Sequence, residues 1–217
     1  MTSSSRVSPS PSMPVTKQAR SEVSTRRLLD AAQELIGEVG YDRATMALIA
    51  ERAGYSHGLI TRRFGSKENM LYALVERMTL VWGDSEGHVE AAGQTGRDGI
   101  LAAIDHVLDG HRRSPDSMRG LYVLMFEALN SVSVLRDRLL ELHRHFRDSL
   151  AAAVRRGIEE GAIDASVQPE RVARMLVSGL RGAAYQWLLD PDGVDFGAAL
   201  TDLRHVLELM LPSPEAA

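Results

Sequence analysis

The chain of 217 residues contains no cysteine. That excludes disulfides, thiolate metal sites and cysteine nucleophiles, and it permits a reducing compartment. No apolar run approaches the roughly 18–20 residues needed to span a bilayer. The opening MTSSSRVSPSPSMPVTKQAR has no apolar stretch of the kind that marks a secretory signal. A cytoplasmic protein without a membrane partner is the expectation. Metal-protease, phosphate-loop and dinucleotide fingerprints are missing too. His143 and His145 stand two apart on a helix, about 200° from each other in direction, and His106 and His111 are five apart, so neither pair can clamp one ion. No catalytic residue, metal or cofactor is expected, and the chain reads as a non-enzyme. No segment alternates with period two for long enough to make a strand, which leaves an all-α fold.

Hydrophobic residues make up 44% and charged residues 25% of the chain, enough for a buried core and a solvated surface. The net charge of -4 hides an asymmetry: residues 1–67 hold ten Lys/Arg against six Asp/Glu, and the remainder holds 15 against 23. A basic head on an acidic body suits a protein that meets a polyanion at one end only.

Residues 1–20, rich in Ser and Pro, read as a disordered arm. From Ser24 onward, Leu28, Leu29, Ala32, Leu35, Ile36 and Val39 form one stripe of an amphipathic helix, closed by Gly40. Thr45 is placed to cap a second, short helix carrying Met46, Ile49, Ala50 and Ala53, which Gly54 breaks. Ser56 caps a third, with Leu59, Ile60 and Phe64 turned inward and Gly65 as its stop. Ser66 caps a fourth, in which Met70, Leu71, Leu74, Val75 and Met78 repeat at helical spacing. Further helices are predicted over about 97–112, 117–131, 134–160, 169–189 and 195–211, broken by Pro115, Ser131–Ser133, Gly161, Pro169 and the turn Asp190-Pro191-Asp192-Gly193. The stretch from Gly83 to Gly96 is the least regular and reads as a mobile connection.

Two short helices joined by Gly54-Tyr55-Ser56 follow the helix-turn-helix plan, in which one helix braces across the DNA backbone and the next enters the major groove. With Leu59, Ile60 and Phe64 assigned to the core, His57, Gly58, Thr61, Arg62 and Arg63 are left for the solvent side. Gly58 allows close approach of the helix backbone. Arg62 and Arg63 suit guanine edges or phosphates, and Thr61 a phosphate or a thymine methyl. Lys67 opens the fourth helix, where free amides and the helix dipole favour a phosphate. Thr45, Tyr55 and Ser56 complete the expected DNA-binding set. A plain helical hairpin with a charged face is the competing reading of this pattern.

The segment TMALIAERAGYSHGLITRRFGSKENMLYALV resembles the DNA-binding domain of the TetR/AcrR family of repressors. Thr45, Ile49, Ala50, Ala53, Gly54, Ser56, Gly58, Phe64, Ser66, Lys67, Glu68 and Leu71 match that family's pattern in register. Where the family usually has Val, Tyr, and Tyr or His, this sequence has Tyr55, Thr61 and Arg63. The resemblance is specific over residues 24–78 and architectural beyond them. It implies a helix-turn-helix domain at 21–66, a ligand-sensing and dimerising helical body at 67–211, and a tail at 212–217. It also implies a homodimer whose last two helices pair with their copies. Met175, Gly179, Leu180 and Ala183 on one helix, and Leu200, Leu203, Leu207 and Met210 on the other, are the expected interface.

A ligand pocket is expected inside the body, lined by Trp82, Ile104, Leu108, His111, Met118, Tyr122, Met125, Phe126 and Phe146, although core packing accounts for any one of them alone. The Met and aromatic content of 118–126 points to an adaptable apolar site. Tyr185 and Trp187 offer faces on which a cationic ligand can stack. The implied function is a repressor released from a palindromic double-stranded operator by a small, largely apolar effector of unknown identity. The alternatives are a helical enzyme or carrier whose head is an interaction module, and a DNA-binding protein that activates or has no effector.

Overall fold

The structure is a computed structural model that describes residues 17–82, 96–129 and 133–214. Most of the predicted arm, the connection after Trp82, the Ser131 break and the last three residues lie outside the described residues, as does the side chain of Trp82.

Nine α-helices are present among the described residues: α1 Lys17–Val39, α2 Met46–Arg52, α3 His57–Phe64, α4 Lys67–Trp82, α5 Gly96–Arg113, α6 Pro115–Glu127, α7 Arg136–Glu159, α8 Pro169–Leu189 and α9 Phe196–Met210. A short 3-10 turn, Ser133–Leu135, leads into α7. The described residues contain no strand. The caps explain most of the boundaries. Thr45 Oγ1 accepts from the Leu48 amide at 3.3 Å, Ser56 Oγ from Leu59 at 3.3 Å, and Ser66 Oγ from Asn69 at 3.2 Å. Each side chain satisfies one amide that the helix start leaves free, an effect worth about 1 kcal/mol. Gly40, Gly54 and Gly65 take the left-handed backbone that turns the chain between these short helices.

Two helix starts differ from the sequence expectation, and the helix expected to reach about 131 ends at Glu127. α1 begins at Lys17, not Ser24, so residues 17–20 belong to a helix and not to an arm. Its first two turns are polar and carry no apolar stripe, and their hydroxyls find partners across the head, as described below. α6 begins at Pro115, which the sequence reading took for a break; Ser114 Oγ accepts from the Ser117 amide at 3.3 Å, and proline occupies the first turn, where its missing N–H costs nothing.

One contiguous core runs through the chain. In the head, Leu28, Ala32 and Ile36 of α1 meet Ile49 of α2, Ile60 of α3 and Met70, Leu71 and Leu74 of α4, all fully buried. Each of the Leu, Ile and Met side chains among them contributes about 1.5–3 kcal/mol. In the body, α8 packs on α7 and α9, while α5 packs on α7 and α9. The tightest junction joins the two halves. α1 lies along α6 with Gly37 and Gly120 facing each other. A Cβ on Gly120 would lie 1.7 Å from the Gln33 carbonyl oxygen, and one on Gly37 would lie 2.6 Å from the Asp116 carbonyl oxygen. Gln33 Nε2 donates to the Ser117 carbonyl at 2.6 Å, and Arg77 of α4 donates to Asp30 at 2.6 Å and to Gln33 at 2.8 Å. Head and body are thus joined backbone to backbone, with a polar bracket from α4.

Candidate nucleic-acid interface and the interior of the body

α2 and α3 form a bihelical unit held from below. Arg52 of α2 makes a bidentate pair with Glu38 of α1, its Nη2 2.6 Å from Oε2, and this pairing lowers the Glu38 pKa from its usual value. Ile60 anchors α3 in the core, with Leu59 and Phe64 half-buried beside it. The predicted contact residues then divide into three groups.

His57, Gly58, Thr61 and Arg62 are exposed on the outer face of α3. Thr61 Oγ1 donates to the His57 carbonyl at 3.0 Å, which leaves the hydroxyl oxygen able to accept and the methyl group outward. Thr45 and Ser56 are exposed but serve as caps, and Tyr55 is half-buried against the core. Arg63 and Lys67 are turned inward, contrary to the sequence expectation. Arg63 donates to the hydroxyls of Ser21 and Ser24 on α1, the latter at 3.1 Å. Lys67 donates to the Tyr41 carbonyl and sits 3.8 Å above the Tyr41 ring, and burial lowers its pKa. Both brace the head through interactions with α1 and the loop that follows it. The surface that α3 presents is therefore a short row: His57, the bare backbone at Gly58, Thr61 and Arg62.

In the body the predicted pocket residues scatter. Ile104 and Met118 belong to the packed core, and Leu108 is half-buried beside it. His111 stands edge-on to Trp187 and Phe196 at 5.1 Å each, and Trp187 stacks on Phe196 at 4.9 Å. Trp187 is thereby engaged in the core and not free to stack on a ligand. Phe126 is half-buried and lies edge-on to Tyr185 at 6.1 Å. Met125 and Phe146 do come together. With Leu121, Leu142, His143 and Arg181 they line a narrow recess between α6, α7 and α8. Tyr122 is fully buried alongside, with its ring centroid 5.4 Å from the Arg181 guanidinium carbon. Burial, followed by the positive charges of Arg181 and Arg147, brings the His143 pKa down to about 4.

The sequence reading missed Arg181 and passed over His143 once metal spacing failed. The signal for Arg181 was present: it falls at i+4 from Val177 and i-3 from Ala184, a charge within a buried stripe.

The residues expected at a dimer interface divide between the interior and the surface. Leu180, Ala183, Leu200 and Leu207 are buried within the chain itself. Gly179 faces Leu203 of α9 so closely that a Cβ would lie 2.5 Å from Leu203 Cδ1. The outer surface of α8 and α9 exposes Met175 of the expected set, and with it Tyr185, Leu189, Val206 and Leu209, the last 70% exposed. Ser178 and Gly182, four apart, are the small residues on that surface, and open space surrounds Gly182.

A capped bihelical head with an exposed second helix, carried on an all-helical body, defines a helix-turn-helix DNA-binding protein. The chain belongs to the tetR family of bacterial regulatory proteins, whose N-terminal profile matches residues 28–74; residues 96–212 match the C-terminal domain of BetI-type transcriptional repressors. It is a DNA-binding transcriptional regulator. Among curated proteins it is similar to the HTH-type transcriptional regulator BetI 1 of Chromohalobacter salexigens, 29% identical over 80% of this chain and 83% of the relative. It is also similar to the regulator TtgR of Pseudomonas putida, 28% identical over 78% and 82%. Among solved structures, SmeT in complex with triclosan superposes with a TM-score of 0.73 at 21% identity, covering 90% of this chain and 94% of that one. No helix among the described residues is long and apolar enough to cross a membrane.

Proposed function

We propose that the protein acts as a homodimeric repressor that leaves a palindromic operator when a small molecule enters the body. The observation that carries this reading is the exposed row on α3, held rigidly by Ile60, Arg63 and the Arg52–Glu38 pair. In it, Arg62 reads a guanine edge or a phosphate, His57 and Thr61 meet the backbone, and Gly58 admits close approach. A second copy joins through the apolar outer surface of α8 and α9. Two-fold symmetry then presents two α3 helices to half-sites roughly 34–36 Å apart.

The recess between α6, α7 and α8 is the effector site. α6 supports the coupling: Leu121 and Tyr122 stand at the recess, while the adjacent Gly120 abuts α1. A ligand that widens the recess displaces α6, and α1 has no side-chain cushion with which to absorb the movement. Such a ligand shifts the population toward the spacing that does not fit DNA, provided it binds that state more tightly. The protein acts by binding and not by turnover, a reading supported by its similarity to relatives named HTH-type transcriptional regulators.

Selection of bound duplexes from a random pool by the purified chain tests this. An enriched inverted repeat, with binding that weakens steeply as salt rises and is lost on adding some fraction of a metabolite mixture, is expected. A chain that enriches no duplex at low ionic strength, or that turns over a small molecule without binding DNA, overturns it.

A further inference from the structure

The recess proposed as the effector site is not uniformly apolar. Arg181 brings a guanidinium into the middle of the body, and its buried Nε has no hydrogen-bond partner. Among the described residues no Asp or Glu forms an ion pair with it; its neighbours are Tyr122, whose ring lies 5.4 Å from the guanidinium carbon, and His143, whose protonation its charge opposes. The Tyr122 hydroxyl is itself buried, and the only side chain it meets is that Arg181 guanidinium, with no carboxylate or carbonyl to take its own proton. The Arg181 Nε–H and the Tyr122 O–H are thus left as neighbouring donors with no acceptor of their own, which is unusual in a folded core, where such groups are nearly always paired. A buried cation without a counter-ion is rarer still, because desolvation is compensated only by a charge of opposite sign or a full set of hydrogen bonds. Arg147 on α7 adds a second positive charge near His143. The rest of the wall is Leu121, Met125, Leu142 and Phe146, all apolar.

We infer that the effector is an anion with an apolar body: a carboxylate seated on Arg181, hydrogen-bonded by the Tyr122 hydroxyl, its hydrocarbon part against Met125, Leu142 and Phe146. Planar, bidentate recognition of a carboxylate is what a guanidinium does best. The same charge repels a cationic ligand, so the recess excludes ammonium compounds. Met125 supplies the flexibility that lets the narrow space open. This inference rests on the reading of the recess as the effector site.

The test uses the full chain and matched probes: straight-chain carboxylates of four to twelve carbons, benzoate and phenylacetate, each beside the alcohol and the amine of the same skeleton. Binding is followed by calorimetry, and release by displacement of the selected operator duplex. At least one carboxylate is expected to bind about tenfold or more tightly than its alcohol, with no binding by the amine. Arg181→Met is expected to abolish that preference, to remain dimeric, and to melt no lower than the wild type, since it removes an unpaired buried charge. Arg181→Lys should keep part of the preference.

Absence of binding by every carboxylate, equal affinity for alcohol and acid, or a preference that survives in Arg181→Met overturns the inference. So does a lower melting temperature or loss of the dimer in that variant, which would make Arg181 structural. If carboxylates bind through Arg181 but never release DNA, the anion site stands and the effector reading fails. If the chain binds no duplex at all, the proposed function fails independently of the probes.

Discussion

Arg62 and Arg63 are neighbours in sequence with different roles. Sequence periodicity left both on the solvent side of α3, because the residues that claim Arg63 sit on turns of α1 that show no apolar stripe. Ser21 is helical only because α1 starts at Lys17, and its hydroxyl and that of Ser24 take the Arg63 guanidinium. Arg62→Ala should weaken operator binding and lower the salt dependence by about one released counterion, leaving the melting temperature unchanged. Arg63→Ala should instead cost about 1 kcal/mol of stability, measured by urea unfolding, and weaken DNA binding only through a looser head. Equal effects of the two variants on both readouts would refute the division. His143 offers a second check at this scale. Its folded pKa of about 4 lies below the ordinary 6.5, so between those values the unfolded chain takes up a proton that the folded chain refuses. Stability should therefore decline as pH falls through that window, and the difference should disappear above it. His143→Gln should show a shallower decline than the wild type in denaturation at pH 7 and pH 4.5; identical slopes would count against a buried, neutral His143.

At the scale of helices, most of the fold was readable in advance. The apolar repeats and the Thr45, Ser56 and Ser66 caps set the elements of the head, and Pro169 and the Asp190–Gly193 turn set α8. The polar first turns of α1 were not readable, nor was the use of Pro115 as a first-turn residue, since each depends on a partner or a cap and not on periodicity. The candidate site was less legible for the same kind of reason. A stripe shows which residues face inward but not which core positions leave a gap, so Ile104 and Met118 could not be told from Met125 and Phe146. The junction of α1 with α6 makes its own prediction. Gly120→Ala would place a methyl group 1.7 Å from a carbonyl oxygen, so it should destabilise by about 3 kcal/mol, the upper end for overpacking. A melting temperature within a degree of the wild type would show that the junction yields more readily than its geometry implies.

For the molecule as a whole, charge and apolar surface are divided between its ends. The basic segment lies in the head, where α3 is exposed, while the acidic body carries the apolar outer surface of α8 and α9. Of the residues that the sequence offers for self-association, Leu180, Ala183, Leu200 and Leu207 are used within the chain itself, while Met175 stays exposed. Leu209→Glu should convert a dimer into monomers in sedimentation without loss of helix by circular dichroism. Operator affinity should fall with it, because a single α3 reads only half of a two-fold site. Retention of the dimer would move the interface elsewhere.

The glycine contact between α1 and α6 also divides the chain into parts that can change freely and parts that cannot. If the recess is the effector site as proposed, substitutions at Met125, Leu142 or Phe146 alter what it admits and can be accommodated by neighbouring side chains. Nothing at Gly37 or Gly120 can be repacked, because main chain touches main chain. Anyone retooling the protein as a biosensor for a different compound would therefore randomise the walls and leave those two positions fixed.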